Sequence, residues 1–174
     1  MQCKKALEEA GGDMEKALVI LEKKSKATAE KKSGRDLGAG VVQAYIHTNA
    51  TVGAMVEVLC ETDFVARNEE FQEFGYEIAM HIAAMNPQFK TTEDIDETAR
   101  EKAKEVFVEE IQDKPEDMQE KILQGKMDSY FKDKVLMEQA YIKDGEKAIK
   151  DLVAEATQKF GERVDIGDYA RFSI

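Results

Sequence analysis

The sequence predicts an α+β fold: a three-stranded antiparallel sheet packed with helices on one face, a small N-terminal helical domain, and a helical hairpin. Three observations carry this reading. Val41–Thr48 and Thr51–Cys60 are adjacent Val-containing runs joined by Asn49-Ala50, and they read as two strands of a hairpin. Arg163–Ile174 reads as a third, closing strand. Between these lie long stretches whose apolar residues recur at spacings of three and four, the mark of one-sided helices.

In chain order, Gln2–Ala10 and Met14–Leu21 read as two short helices, broken by Gly11-Gly12, with Asp13 as N-cap of the second. Two short helices cannot bury a core of their own. Residues 1–24 are therefore expected to form an incomplete helical domain, 25–40 a basic, flexible linker, and 41–174 the core. Lys23–Lys32 (KKSKATAEKK) is locally basic and reads either as a solvated helical linker or as a contact for RNA or an acidic partner. The glycines of SGRDLGAG (33–40) make a joint before the hairpin, whose turn lacks the favoured Asn-Gly pair.

The next helix is expected from Glu69 to Met85, capped by Asn68 and stopped before Asn86-Pro87. Its apolar stripe is Phe71, Phe74, Ile78, Ile82 and Met85. Met80 falls opposite Phe71 and His81 on the stripe's flank, so this helix offers apolar surface away from its core side. Asp94–Gln112 and Glu116–Lys132 follow as an antiparallel helical hairpin, with Pro115 at the first turn of the second helix, where proline is tolerated. Glu146–Phe160 is a last helix, stopped by Gly161. Gly167 and Asp168 in the closing strand predict a bulge.

Bulk properties exclude several function classes. The 174 residues allow one ordinary core and a small appendage, and 43% apolar content suffices to bury it. No run of about 18 apolar residues exists, so no membrane span is expected, and the first residues lack a secretory signal. Cys3 and Cys60 are too few for a disulfide framework or a zinc site, which points to a reduced cytoplasmic compartment. A net charge of −11 argues against nucleic acid as the main ligand. No cofactor or metal site is expected.

Glu61–Asn68 (ETDFVARN) is the most informative stretch. It sets Asp63 beside Phe64 in a short connection where a strand ends and a helix begins, a place where functional side chains are often displayed. On the residues alone, two readings stand: Phe64 plugs the core while Asp63 caps a turn, or the pair is offered to a partner.

VEVLCETDFVARN resembles the signature of the bacterial elongation factor Ts family, the nucleotide exchange factors of elongation factor Tu. MQCKKALEEAGGDMEKAL is similar to that family's N-terminal domain, and AMHIAAMNP (79–87) is a third match in the same order. The resemblance covers most of the chain and points to a short, single-core member. It implies that Thr62, Asp63, Phe64 and Val65 form a loop inserted near the Mg²⁺ site of elongation factor Tu, with Phe64 as the wedge. It implies supporting contacts from Met80 and His81, and from Met1, which matches one of two adjacent family methionines. The expected product is a homodimer in a two-plus-two complex with elongation factor Tu, because short members act as symmetric dimers.

The chain departs from the family's pattern in three places. The first helix of the family's three-helix, ubiquitin-associated-like domain is absent, so either residue 1 is internal to a longer chain or the domain is truncated. Gln139-Ala140-Tyr141 lacks the usual central proline. Residues 164–172 (VDIGDYARF) carry Gly167 and Asp168 where the family tends to be basic.

Two rival readings remain from the residues. A binding adaptor would hold a translation protein without driving exchange. An enzyme would recruit Cys60, His47 and Glu61 or Asp63, since Cys60 and His47 lie on adjacent predicted strands. No nucleophile elbow, phosphate-cradling glycine loop or HExxH spacing supports the enzyme, and Cys60 reads as a small core residue.

Overall fold

A computed structural model of the chain describes residues 2–111 and 115–174. They divide into two compact units: the chain up to Ala84 together with Lys150–Ile174, and Met85–Ile149.

The first unit opens with α1 (Gln2–Glu9) and α2 (Met14–Lys32). Gly11 and Gly12 take positive φ between them, and Asp13 caps α2 by accepting from the Lys16 amide at 3.1 Å. The second helix runs eleven residues past Leu21, where the sequence reading ended it. The first part of the basic segment is therefore helical, as one of the two readings of Lys23–Lys32 had it. Three of its five lysines find partners within the chain: Lys24 pairs with Glu9 at 2.8 Å, Lys26 with Glu22 at 2.8 Å and Asp151 at 3.1 Å, and Lys32 donates to the Gly161 carbonyl.

The expected three-stranded antiparallel sheet is present, in the order β1 (Ala39–Ile46), β2 (Val52–Cys60), β5 (Asp165–Ser173). Its core side is set by alternation. Ala54, Val56, Val58 and Cys60 of β2 are buried, and Val58 pairs with buried Ile166 of β5. Helix α4 (Glu69–Met85) lies across this side, close enough at Gly75 that an added Cβ would sit 2.9 Å from Gln43 Cγ. Phe71 of α4 meets Phe160 of α7 (Ile149–Phe160) edge to face, with ring centroids 5.4 Å apart. Arg171 of β5 donates to the Ala83 carbonyl near the end of α4 at 2.9 Å.

The bulge falls where Gly167 and Asp168 predict it. Val56 pairs with Tyr169 but Val58 with Ile166, so Glu57 faces two residues, and its carboxylate accepts from the Asp168 amide at 3.2 Å.

Among the described residues of this unit, nothing covers the opposite side of the sheet. In register across it lie Ala44, Met55 and Ala170, then Ile46, Gly53 and Phe172. Ile46 is 73% exposed, Met55 49% and Phe172 72%.

The second unit holds α5 (Glu97–Ile111) and α6 (Glu116–Lys132), with β3 (Ala140–Tyr141) and β4 (Asp144–Ala148). The two helices are antiparallel, as Phe107 stacks edge-on with Tyr130 at 5.5 Å while Glu110 pairs with Lys126 at 2.5 Å. Ile95, Ala103, Phe131 and Val135 form its core. The expected start of this helix is broken up: Asp94 closes a 3-10 turn, Ile95 and Asp96 precede α5, and Gln112 lies outside the described residues. The small β3–β4 ladder was not anticipated. It takes residues 144–148, so α7 begins three residues later than periodicity suggests. No helix among the described residues is long and apolar enough to cross a membrane.

Candidate functional site

The ETDFVARN stretch folds as a single helical turn, α3 (Asp63–Ala66), hung from the end of β2. Its closing bonds run from the Ala66 amide to the Thr62 carbonyl at 3.1 Å and from the Arg67 amide to the Asp63 carbonyl at 3.1 Å. Asn68 then caps α4, its side chain accepting from the Glu70 amide at 2.9 Å. The turn has two sides. Val65 and Ala66 are buried and seat it on the core, whereas Thr62, Asp63 and Phe64 face outward. Phe64 is 84% exposed, so the core-plug reading of this residue is overturned. Asp63 makes an exposed ion pair with Arg67 at 3.7 Å, a geometry that contributes little in water.

The turn is tied down from across the chain. One carboxylate oxygen of Glu162 accepts from the amides of Glu61 and Thr62 at 3.1 and 2.9 Å, and the other from the Thr62 hydroxyl at 2.6 Å. In return, the Glu61 carboxylate accepts from the Arg163 amide at 2.5 Å and from Arg35 at 3.2 Å. The Arg163 amide, followed by Arg35, holds the Glu61 carboxyl below its ordinary value. None of Glu162, Arg163 and Arg35 was singled out in the sequence. Glu162 and Thr62 are separated by 100 residues, and the only local hint was a polar pair placed between a helix-stopping glycine and a strand.

Cys60 ends β2 fully buried, as expected of a small core residue, with its thiol donating to the Thr62 carbonyl at 3.3 Å. Burial, and after it the negative charge of Glu162, pushes this thiol up, which disfavours the thiolate a nucleophile needs. His47 sits at the other end of the hairpin, since Ala39 pairs with Cys60 and Ile46 with Gly53. The Cys60–His47 proximity that an enzyme would require is therefore absent. His47 is exposed and shares a 2.9 Å hydrogen bond with Tyr45.

Thr62, Asp63, Phe64 and Val65 share one turn, and Met80 and His81, expected to support it, stand towards the far end of α4. Met80 lies roughly 16 Å along the α4 axis from Glu69, by helix rise alone. It is half-buried, and His81 has no exposed surface. The sequence placed His81 on the flank of the stripe, yet the buried set is Phe71, Gly75, Ile78, Ala79, His81, Ile82 and Ala83. The helix packs over a wider arc than the stripe implied, and Met85, assigned to the stripe, is exposed at its end. Met1 lies outside the described residues. Among the described residues, no group of three or more His, Cys, Asp or Glu side chains could hold a metal ion.

Comparison with known proteins gives a consistent result. Residues 19–174 match the family model described as Elongation factor TS. A curated protein of Thermotoga petrophila named Elongation factor Ts is 49% identical over 174 residues, covering all of this chain and 87% of that protein. Proteins of the same name from Thermosipho melanesiensis and Thermodesulfovibrio yellowstonii are 46% and 47% identical, and each alignment spans the whole chain and 90% and 87% of the relative.

Proposed function

The chain belongs to the elongation factor Ts family, and from that premise we propose that it is a guanine nucleotide exchange factor of translation elongation. It binds elongation factor Tu·GDP, disturbs the Mg²⁺ and phosphate site, and promotes GDP release so that GTP can reload. The observation that carries this reading is the exposed Phe64 on a turn fixed from both sides. The ring gains nothing from folding where it stands, so its apolar surface is left for a partner to bury.

Exchange requires no covalent chemistry from this protein and no cofactor of its own. It requires a surface that binds the partner more tightly without GDP than with it, and the coupling is reciprocal. A shift of about 10⁴-fold takes roughly 5.5 kcal/mol of differential binding. Burying the Phe64 ring supplies about 1.5–3 kcal/mol. Phe64 therefore acts as the tip of a wedge, with Thr62, Asp63 and Val65 orienting it and a wider interface supplying the remaining energy. Met80 contributes through its exposed part and Met1 through the N-terminal helices. His81, being enclosed, supports the contact from inside α4.

The protein works as a homodimer, in a two-plus-two complex in the cytoplasm. The uncovered apolar side of the sheet supports this, since a second copy would bury it. Nucleic acid is not the direct ligand, in keeping with the net charge of −11 and the internal pairing of Lys24, Lys26 and Lys32.

The test is release of fluorescent GDP from elongation factor Tu. The intact protein accelerates it, and Phe64→Ala loses most of the effect. Binding that leaves GDP affinity unchanged would instead make the protein an adaptor.

A further inference from the structure

We infer that Glu162 is a positioning residue for the exposed turn, holding Phe64 in the one orientation in which it can act; this rests on the exchange reading above. The ladder between β2 and β5 already joins the strands at Leu59 and Asp165. Pairing them does not need Glu162. Val65 and Ala66 seat α3 on the core and the Cys60 thiol donates to the Thr62 carbonyl, but the ladder leaves the amides of Glu61 and Thr62, from which α3 hangs, without strand partners. Adjustment of the backbone at these two residues changes the angle at which the turn presents the Phe64 ring while leaving Cys60 in place.

Glu162 removes that freedom. Its carboxylate takes both free amides and the Thr62 hydroxyl, three charge-assisted bonds at 3.1, 2.9 and 2.6 Å. The next residue completes the clasp, because the Arg163 amide donates back to the Glu61 carboxylate at 2.5 Å. Each chain segment thus presents a carboxylate to the other's backbone, which fixes their offset as well as their distance. Arg35 closes the ring: it donates to Glu61 at 3.2 Å while its carbonyl accepts from the Arg163 guanidinium at 2.7 Å. Thr62 is exposed, so the clasp lies at the rim of the sheet and contributes little to the core. A partner receiving Phe64 then meets a ring whose ordering cost is already met within the free protein.

The test uses Glu162→Ala, Glu162→Gln and Phe64→Ala in the full chain, with two readouts. In amide hydrogen exchange, Glu162→Ala raises the rates of Ala66, Arg67 and Asn68, whose amides close α3, by about 10-fold or more, while Val56 and Val58 of β2 stay within about 3-fold. In GDP release, the limiting rate at saturating protein falls by about 10-fold, while the half-saturating concentration shifts by less than about 3-fold. Glu162→Gln keeps one carbonyl acceptor and lies between. Adding Phe64→Ala to Glu162→Ala lowers the rate little further, because both changes remove the same placed ring.

Unchanged exchange at Ala66, Arg67 and Asn68 overturns the inference whether or not the protein drives GDP release. Faster exchange spread equally through β2 also overturns it, since that is a merely structural role. A loosened α3 with an undiminished limiting rate does so as well. If the intact protein fails to release GDP, the exchange reading falls, and the amide rates still decide whether Glu162 holds the turn.

Discussion

Phe64 and Val65 are consecutive in the chain and opposite in environment: the first is 84% exposed and the second 4%. One turn of helix thus separates display from anchorage at adjacent residues. Phe64→Ala is expected to change unfolding free energy by less than about 0.5 kcal/mol while removing most of the GDP-release activity. Val65→Ala leaves a cavity beneath the turn and is expected to cost about 2 kcal/mol. Urea unfolding of both variants checks this, and a strongly destabilised Phe64→Ala would show that the ring supports the fold after all.

The turn of the β1–β2 hairpin holds Ala50 at φ 57°, a left-handed conformation that disfavours any Cβ. Asn49 beside it supports the turn, with its side chain accepting from the Thr51 amide at 3.1 Å. Ala50→Gly removes a penalty of about 1–2 kcal/mol, of which roughly half is returned through the freer unfolded chain. The net gain is expected to be about 0.5–1 kcal/mol, seen as a melting temperature about 2 °C higher. A lower melting temperature would refute it.

The clasp also sets a pH dependence. The Glu61 carboxyl is held below its ordinary value of 4.5, first by the Arg163 amide and then by Arg35. The folded state therefore favours the charged form. Its contribution is complete above about pH 4.5 and is lost as pH falls through the depressed folded value. The stability difference between the wild type and Glu61→Gln should accordingly be constant near neutrality and close in acid. A difference that widens below pH 4.5 would reverse the assignment.

The parts of this architecture legible in the sequence were those encoded by neighbours. Val41–Thr48 and Thr51–Cys60 alternate, Asn86-Pro87 stops α4, and Gly167-Asp168 marks a bulge, each within a few residues. The Thr62–Glu162 contact joins positions 100 apart, and no local pattern records it. Helix α3 is too short for periodicity to register, so Phe64 could be placed in a connection but not assigned to a surface. His81 was misplaced for a related reason. A wheel finds the richest apolar stripe, but α4 is covered over a wider arc, and polar side chains at its margins are enclosed. The β3–β4 ladder contains Asp144, Gly145, Glu146 and Lys147, residues of low strand propensity.

The uncovered side of the sheet leads to the last prediction. Ala44, Met55 and Ala170 lie in register across its middle, flanked by Ile46 and Phe172, so the apolar surface is continuous over all three strands. Monomeric proteins rarely leave so connected a patch in water. The helices of this unit leave it open, because α4 and α7 lie on the other side and α2 is tied to α7 through Ser25–Gln158 and Lys26–Asp151. A second copy related by a twofold axis would lay Met55 near its own counterpart, where an introduced charge would be buried against its equal. Met55→Glu is therefore expected to give one chain mass by light scattering at micromolar concentration, where the wild type gives twice 19.6 kDa. Lys23→Glu, a larger charge change on exposed α2, leaves the dimer intact. A wild-type protein that scatters as a single chain would overturn the homodimer, and a dimeric Met55→Glu would move the interface to another surface.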